Sequence, residues 1–267
     1  MSDRISVSIA DGVADVRLNR PDKMNALDMA MFNALRDTGE ELAGNGSVRA
    51  VVLSGEGRAF CAGLDFGNFK KMGDGEGSSV GRLTPRTHGI ANHAQQAVWI
   101  WRQMPQPVIA AVTGVAFGGG CQIALGADIR LIAPDARMSV LEIKWGLVPD
   151  MAGLALMRTL LRDDIARELT YTGRQVTGQE AVDIGLATRV EENPYAAAMA
   201  MAREIASKSP DAVRGSKRLL NMVADADEAA ILLAESVEQE KLIGSPNQIE
   251  AVKAGLGKRA PNFTDVA

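Results

Sequence analysis

A chain of 267 residues can build one large hydrophobic core, or such a core with a smaller domain attached to it. Hydrophobic residues make up 46% of the chain and charged residues 23%, which is the balance of an ordinary soluble globular protein. A formal net charge of -4 gives no electrostatic reason to expect nucleic acid or an anionic membrane as the main partner.

The cysteines and the N-terminal residues also exclude several classes of protein. Cys61 and Cys121 both lie in apolar, glycine-flanked contexts, and they fit neither a metal-binding spacing nor a disulfide framework. The first residues, MSDRISVSIADG, contain no apolar signal-peptide segment, and no unbroken apolar run approaches the roughly 20 residues of a membrane helix. We therefore expect a soluble, cytoplasmic protein without a metal site.

The chain begins with two segments of alternating polarity, ISVSIA and VADVRLN. They are joined by Asp11-Gly12, which predicts a β-hairpin. Asp28 can cap a helix that runs to about Ala43, and Gly44 would end it. A sheet that starts at once and is followed by an amphipathic helix is therefore predicted.

The middle of the chain alternates strand and helix patterns. Three apolar runs have the length of buried strands, and they lie at residues 49–53, 107–114 and 127–133. Residues 73–84 are rich in glycine and polar residues, which predicts a mobile loop, and a long helix is predicted from about 85 to 103. This alternation indicates an α/β fold with parallel, fully buried strands.

The last third of the chain has a helical character. Thr177 to Glu180 (TGQE) reads as a capping box, and Ser209-Pro210 reads as a helix start. Three helical runs are predicted between residues 194 and 256, and strand signals nearly end after Val190. We infer a helical tail that either covers the α/β core or builds an oligomer interface.

Two glycine-rich turns are the first candidates for chemistry, CAGLD at 61–65 and FGGGC at 117–121. Each follows a predicted buried strand, and the second opens a helix whose first N–H groups lack intrahelical acceptors. Two such N–H groups that converge would form an oxyanion hole, although tight turns without any ligand explain glycine runs equally well. The dinucleotide fingerprint GxGxxG is absent and no P-loop lysine follows, which disfavours a nucleotide-phosphate site.

The combination of motifs is more specific than either glycine run. LNRPDKMNALD, RAFCAGLD, PVIAAVTGVAFGGGCQIALGADIRLIAPDA and LEIKWGLVPD follow one another in this order. In order and spacing they resemble the enoyl-CoA hydratase/isomerase (crotonase) superfamily, over nearly the whole chain. The resemblance implies a crotonase-like spiral of ββα units with an acyl-CoA site at residues 1–192. It also implies a C-terminal helical oligomerisation region at 193–267, and hence a homotrimer or a dimer of trimers.

The same resemblance implies an acyl-CoA substrate and no further cofactor, since coenzyme A is part of the substrate. The thioester oxygen would lie between the N–H groups of Leu64 and Gly119, which stabilise an enolate more than the ground state. The implied contacts to coenzyme A are Lys23, Met24, Ala26, Ala62 and Asp65, with Lys258 and Phe263 reaching it from the same or a neighbouring subunit.

The acid–base residues depart from the hydratase pattern. Hydratases of this family carry a glutamate where this chain has Gln122, and a second glutamate that corresponds to Glu142. A glutamine can orient a ligand, but its amide does not exchange a proton near neutral pH. We therefore expect Glu142 to act alone, as in the family's isomerases, and Gln122 has either a structural or a catalytic role.

The sequence allows two interpretations of Asp150. In dienoyl-CoA isomerases and some hydrolases of the family an acidic residue stands at this position, so Asp150 is either a second catalytic carboxylate or the cap of a helix that begins near Met151. The favoured reaction is enoyl-CoA isomerisation. The alternatives are hydration or hydrolysis by Glu142 with Asp150, and an acyl-CoA-binding member of the family with little catalysis.

Overall fold

The computed structural model describes residues 3–75, 77 and 81–266. The strands, in chain order, are β1 (Ile5–Ala10), β2 (Val13–Leu18), β3 (Ala50–Gly55), β4 (Val108–Val112), β5 (Val115–Phe117), β6 (Ile129–Ile132), β7 (Arg137–Ser139), β8 (Val176–Thr177) and β9 (Arg189–Val190). The helices are α1 (Met29–Ala43), α2 (Phe66–Gly73), α3 (His93–Gln103), α4 (Gly119–Gly126), α5 (Gly153–Leu160), α6 (Asp163–Thr172), α7 (Gly178–Asp183), α8 (Pro194–Ala206), α9 (Pro210–Met222), α10 (Glu228–Leu242) and α11 (Pro246–Leu256). Short 3-10 helices lie at Pro21–Lys23 and Glu142–Trp145.

The larger sheet has the strand order β1-β2-β3-β4-β6-β9 in the described part of the chain. β1 pairs antiparallel with β2, from Ile5 opposite Leu18 to Ala10 opposite Val13, while the other neighbouring strands are parallel. All five residues of β4 are buried, as are the first five of β3. The predicted hairpin and the predicted parallel, buried strands are therefore confirmed.

A smaller sheet has the order β5-β7-β8, with β5 and β7 parallel and β7 and β8 antiparallel. Its strands contain only two or three residues, too few to show a periodicity in the sequence. A single parallel bridge from Cys61 to Ala116 ties β5 to the first glycine-rich turn. This sheet thus brings the two glycine-rich turns together.

The sheet is covered on both faces. Val51 and Leu53 pack in the larger core with α1, α3 and α4, while Val52 and Ile109 point to the opposite face and pack against α8. The two faces alternate along each strand because successive side chains of a strand point to opposite sides. α8 falls in the predicted oligomerisation region, yet its small side chains form part of the core.

Four helices, and not the predicted three, lie between residues 194 and 256 in the described chain. A separate helix, α10, begins after Asp227, because the Asp227 side chain accepts a hydrogen bond from Ala230 N and caps it. α10 has no buried residue in this single chain, although it contains Leu232 and Leu233. The helical tail therefore covers the core with α8 and α9 and leaves an apolar surface on α10.

Of three predicted helix starts, one lies at a different residue, and the other two lie where predicted but lack a side-chain cap. α3 begins at residue 93 and not near 85, because the Asn92 side chain accepts from Gln95 N while Gln95 accepts from Asn92 N. Thr177 makes no side-chain cap, and Glu180 pairs instead with Arg174, so TGQE is not a capping box. Ser209 makes no side-chain cap either, and α9 begins with Pro210 at its first position.

Two further features concern the predicted loop and the membrane. α2 begins directly after the first glycine-rich turn, in residues 66–72 for which no element was predicted, and it ends at the first residue of the predicted mobile loop at 73–84. Residues 76 and 78–80 of that loop lie outside the described residues. Within the described chain, no helix combines the length and apolarity needed to cross a membrane.

Candidate active site

A cavity of about 780 Å³ lies where the two glycine-rich turns meet α2 and the 3-10 helix Glu142–Trp145. It is lined by residues from all four segments, including Leu64, Gly119, Phe69 and Glu142, and also by Asp150. The cavity has the size range of ligand-binding pockets in enzymes. Residues that are far apart in the sequence therefore face one enclosed volume.

The two turns lie against each other through backbone contacts. Phe117 N donates to Cys61 O at 3.0 Å, which continues the bridge between Cys61 and Ala116. Gly63 has a φ of 88°, and a Cβ built on it would lie 2.6 Å from Phe117 O. Only glycine fits this position, because any side chain would strain the backbone and push the turns apart.

Two backbone N–H groups are available at this contact. Neither Leu64 N nor Gly119 N donates to a backbone carbonyl among the residues described, and both residues line the cavity. Gly119 is the first residue of α4, where an N–H group has no intrahelical acceptor. A Cβ at Gly63 would lie 3.7 Å from Gly119 N, so the residue before Leu64 lies close to the start of α4. This arrangement can bind a carbonyl oxygen that gains negative charge.

Gln122 is almost fully buried beneath the cavity, and its side chain is held at both ends. Its Oε1 accepts hydrogen bonds from Met151 N at 2.9 Å and Gly153 N at 2.8 Å. Its Nε2 donates to Glu142 Oε1 at 2.7 Å. Because two N–H groups require the amide oxygen, the NH2 group must face the carboxylate. Gln122 thereby orients Glu142.

Glu142 is 8% exposed and presents one oxygen without a partner. Its Oε2 is buried and makes no hydrogen bond within the described chain. Burial raises the pKa of the Glu142 carboxyl, the negative charge of Asp150 raises it further, and the hydrogen bond from Gln122 opposes this rise. A carboxyl group with a raised pKa and a free oxygen beside a cavity is suited to general acid–base chemistry.

Asp150 lies in the cavity wall and does not cap a helix. α5 begins at Gly153 and is preceded by Ala152, which has a φ of 71° and makes no side-chain cap. Burial raises the pKa of the Asp150 carboxyl. The helix-cap interpretation was therefore wrong, and the structure brings a second carboxyl group to the cavity that contains Glu142.

The predicted coenzyme A contacts fall into two groups. Five of them line the cavity, namely Lys23, Met24, Ala26, Ala62 and Asp65. Asp65 also accepts from Gly67 N at the start of α2 and pairs with Arg20 at 2.6 Å.

Lys258 and Phe263 are not among the residues that line the cavity. The carbonyl of Phe263 accepts from Arg49 at the start of β3, and Lys258 is exposed. Within one chain these two residues therefore do not reach the site, and their role from a neighbouring subunit stays a prediction.

Three aromatic residues of the cavity wall were not predicted. Phe66 and Phe69 lie on α2, and Trp145 ends the 3-10 helix that begins with Glu142. Phe66 and Phe69 are three residues apart, directly after CAGLD. If this segment had been predicted as a helix, the spacing would have placed both rings on one face.

Known proteins resemble this chain in sequence and in fold. The family described as "Enoyl-CoA hydratase/isomerase" matches residues 8–266. The mitochondrial Delta(3,5)-Delta(2,4)-dienoyl-CoA isomerase of Mus musculus is 31% identical over 92% of this chain and 77% of its own length. Human enoyl-CoA hydratase domain-containing protein 2 is 32% identical over 94% of this chain and 85% of its own. Among solved structures, the enoyl-CoA hydratase of Bacillus anthracis superposes with a TM-score of 0.86 at 30% identity, covering 97% of this chain and 98% of that one.

Proposed function

The chain belongs to the enoyl-CoA hydratase/isomerase family, and from this premise we propose that it moves a double bond within an unsaturated acyl-CoA thioester. One observation carries the proposal. Two carboxyl groups with raised pKa values, Glu142 and Asp150, line the cavity that also contains the free N–H groups of Leu64 and Gly119.

The first step is removal of a proton from the carbon next to the thioester. Oε2 of Glu142 takes this proton, and the electron pair of the C–H bond moves onto the thioester oxygen through the enolate. Leu64 N–H and Gly119 N–H stabilise that oxygen, and one such donor is worth about 3 to 4 kcal/mol. Return of a proton to a more distant carbon completes the shift, so the reaction needs no net oxidant, water or further cofactor.

Asp150 gives this reaction a second proton carrier. A carboxyl group whose pKa is raised by burial can hold a proton closer to neutral pH and deliver it to a remote carbon of a conjugated enolate. We therefore extend the proposal to dienoyl-CoA substrates, which the name of the mouse relative also suggests. In that reaction Glu142 and Asp150 exchange protons with different carbons of the same acyl chain.

Hydration is the second candidate, since relatives in the family are named hydratases. Gln122 argues against the two-glutamate form of that reaction, because its amide does not exchange protons and its NH2 group already donates to Glu142. Water activation would have to use Asp150 with Glu142, as would hydrolysis of the thioester. A third possibility is an acyl-CoA-binding protein with little turnover.

Purified protein separates these functions when it is offered 3-enoyl-, 3,5-dienoyl- and 2-enoyl-CoA thioesters and the products are identified. We expect isomerised products, and Glu142→Gln should lower kcat by about 10² to 10⁴ while acyl-CoA binding persists. Asp150→Asn should lower the rate with 3,5-dienoyl-CoA more than the rate with 3-enoyl-CoA. Asp135→Asn is a matched control, because Asp135 is exposed and does not line the cavity.

Other outcomes identify the other functions. Addition of water to 2-enoyl-CoA faster than any isomerisation would make the protein a hydratase. Release of free coenzyme A would make it a hydrolase. Binding of every thioester without turnover would leave a binding protein.

We further propose that residues 193–267 contain the interface of a homotrimer or of a dimer of trimers. The support is the set of large apolar side chains that α9, α10 and α11 leave exposed in one chain. They include Leu220, Leu232, Leu233, Ile249, Val252 and Leu256. An interface there would also allow Lys258 and Phe263 to contact a neighbouring subunit.

A further inference from the structure

Three aromatic side chains form one continuous wall of the cavity. Phe69 and Trp145 are stacked with ring centroids 4.2 Å apart and planes 20° from parallel. Phe66 meets both rings edge-on, at 6.0 Å from Trp145 and 6.4 Å from Phe69. We call Phe66, Phe69 and Trp145 the aromatic wall. All three line the cavity.

The two segments that carry the proposed chemistry also carry the aromatic wall. Phe66 and Phe69 belong to α2, which begins two residues after the N–H donor Leu64. Trp145 lies in the four-residue 3-10 helix that begins with Glu142. The aromatic wall is therefore only a few residues along the chain from both the proposed thioester-binding amide and the proposed base.

The wall is exposed to a degree that packing within the chain does not explain. Phe66 is 74% exposed and Trp145 is 39% exposed, although both side chains line the cavity. Apolar side chains continue the surface, since Met72, Leu83 and Leu147 line the same cavity. Large exposed aromatic groups at a ligand cavity indicate a surface that becomes covered when ligand binds.

We propose that the aromatic wall is a subsite for an aryl group at the end of the acyl chain, so that the substrates are aryl-substituted unsaturated acyl-CoA thioesters. An aliphatic chain gains only from apolar burial at such a wall. An aromatic ring gains in addition from offset stacking and edge-to-face contact with rings already arranged in both geometries. This inference rests on the proposal that the cavity binds an acyl-CoA thioester.

The test compares a phenyl ring with a cyclohexyl ring of the same size. The saturated thioesters 5-phenylpentanoyl-CoA and 5-cyclohexylpentanoyl-CoA contain no double bond, so their dissociation constants, measured calorimetrically, are independent of turnover. Burial alone favours cyclohexyl, which is the more apolar group. We expect phenyl to bind about three- to tenfold more tightly, because aromatic contacts add to burial.

Substitutions locate this preference. In Phe69→Leu and in Trp145→Leu, the dissociation constant of the cyclohexyl thioester divided by that of the phenyl thioester should fall to one or below. Tyr171→Leu should leave the ratio unchanged, because Tyr171 is an exposed aromatic residue of α6 that does not line the cavity. The same preference should appear in kcat/KM when 5-phenylpent-3-enoyl-CoA is compared with 5-cyclohexylpent-3-enoyl-CoA.

The outcomes separate this inference from the proposed reaction. Tighter binding of the saturated phenyl thioester, together with no turnover of the 3-enoyl thioesters, supports the subsite and overturns the proposed isomerisation. Equal or weaker binding of the phenyl thioester overturns the subsite, whatever the protein catalyses. A loss of affinity for free coenzyme A in Phe69→Leu, equal to its loss for the phenyl thioester, also overturns it, since the wall would then hold the adenine ring.

Discussion

Gln122 connects the two carboxyl groups of the site. Its Nε2 donates to Glu142, and its Oε1 accepts from the N–H of Met151, the residue that follows Asp150. One buried amide therefore sets the position of the base and of the backbone segment that carries the second carboxyl group. At this position a neutral side chain keeps Glu142 oriented without competing with it for a proton.

Replacing Glu142 by glutamine should stabilise the protein, and the gain should depend on pH. Burial raises the pKa of Glu142 in the folded protein above its unfolded value, so the folded state retains the proton to a higher pH than the unfolded state. The carboxyl group therefore lowers the free energy of unfolding as pH rises from the unfolded pKa through the folded pKa. The advantage of Glu142→Gln should be absent near pH 4, grow as pH rises, and then become constant.

Urea unfolding of both proteins from pH 4 to pH 8 measures this difference. An advantage that is constant over the whole range would contradict a raised pKa. The kcat/KM of the unchanged protein should also depend on ionisation of Glu142, because the base must be ionised. It should therefore rise with pH at values above the ordinary pKa range of carboxyl groups.

Replacing Gln122 by glutamate should move the acidic limb of the pH–rate profile to higher pH. The new carboxylate can still accept from Met151 N and Gly153 N, but its other oxygen then faces Glu142 Oε1, where the present contact is 2.7 Å. Two carboxyl groups at this distance share a proton, which raises the pKa of the step that removes the shared proton and leaves both groups ionised.

A matched control is Gln179→Glu, because Gln179 donates to Asp183 at 2.9 Å on the exposed surface of α7. The pH–rate profile of that variant should be unchanged. A profile for Gln122→Glu that moves to lower pH, or does not move, would contradict the close contact between the two side chains.

At the scale of secondary-structure elements, α9 is attached to the core by a buried cation. Lys217 Nζ donates to the carbonyls of Trp101 and Gln106 and to Asp128, at 3.2, 2.8 and 2.7 Å. These groups lie near the end of α3 and just before the N-terminal ends of the parallel strands β4 and β6, so one ammonium group joins three elements. Burial lowers the pKa of Lys217, and the charge of Asp128 opposes this.

Lys217→Met should therefore lower the free energy of unfolding by about 3 to 5 kcal/mol, because it removes the ammonium group from two carbonyls and from Asp128. Asp128 then keeps the hydrogen bond from Val108 N and the 3.8 Å pair with Arg102. Lys208→Met is the matched control, since Lys208 forms an exposed pair with Glu204 at 4.0 Å. Its loss should be about 0 to 1 kcal/mol. Equal small losses in urea denaturation of the two variants would show that Lys217 does not hold α9 to the core.

At the scale of the whole molecule, α8 and α10 differ in what they bury within one chain. α8 buries its small residues against the sheet, whereas α10 buries none in the described chain and exposes Leu232 and Leu233 by 63% and 66%. Contiguous exposed apolar side chains of this kind mark an interaction surface. A second copy of the chain is the partner that the proposed trimer supplies.

Leu233→Glu should lower the oligomeric mass in sedimentation velocity from three or six chains toward one, because it places a charge in the interface. Leu233→Met keeps both volume and polarity and should leave the mass unchanged. A single-chain mass for the unchanged protein, or an unaffected oligomer in Leu233→Glu, would contradict an interface on α10.

The sequence by itself determined the features that depend on backbone chemistry and local pattern. The hairpin at Asp11-Gly12, the helix capped by Asp28 and the parallel buried strands all follow from short-range signals, and the structure contains them. The glycine-rich turns and the glutamine in place of a carboxylate at position 122 were also visible in the sequence. Glycine sets which backbone conformations a position can adopt, and an amide does not exchange a proton, whatever surrounds either residue. These signals were sufficient for the family.

Only the tertiary structure decided which way side chains point and what they meet. Asp150 has the sequence context of a helix cap, but the left-handed turn at Ala152 delays α5 and leaves the carboxyl group in the cavity wall. The aromatic wall joins α2 to a segment more than 70 residues away, and Phe263 is held at Arg49 rather than at the cavity. Such contacts are set by the packing of distant elements, and packing has no period that a sequence displays.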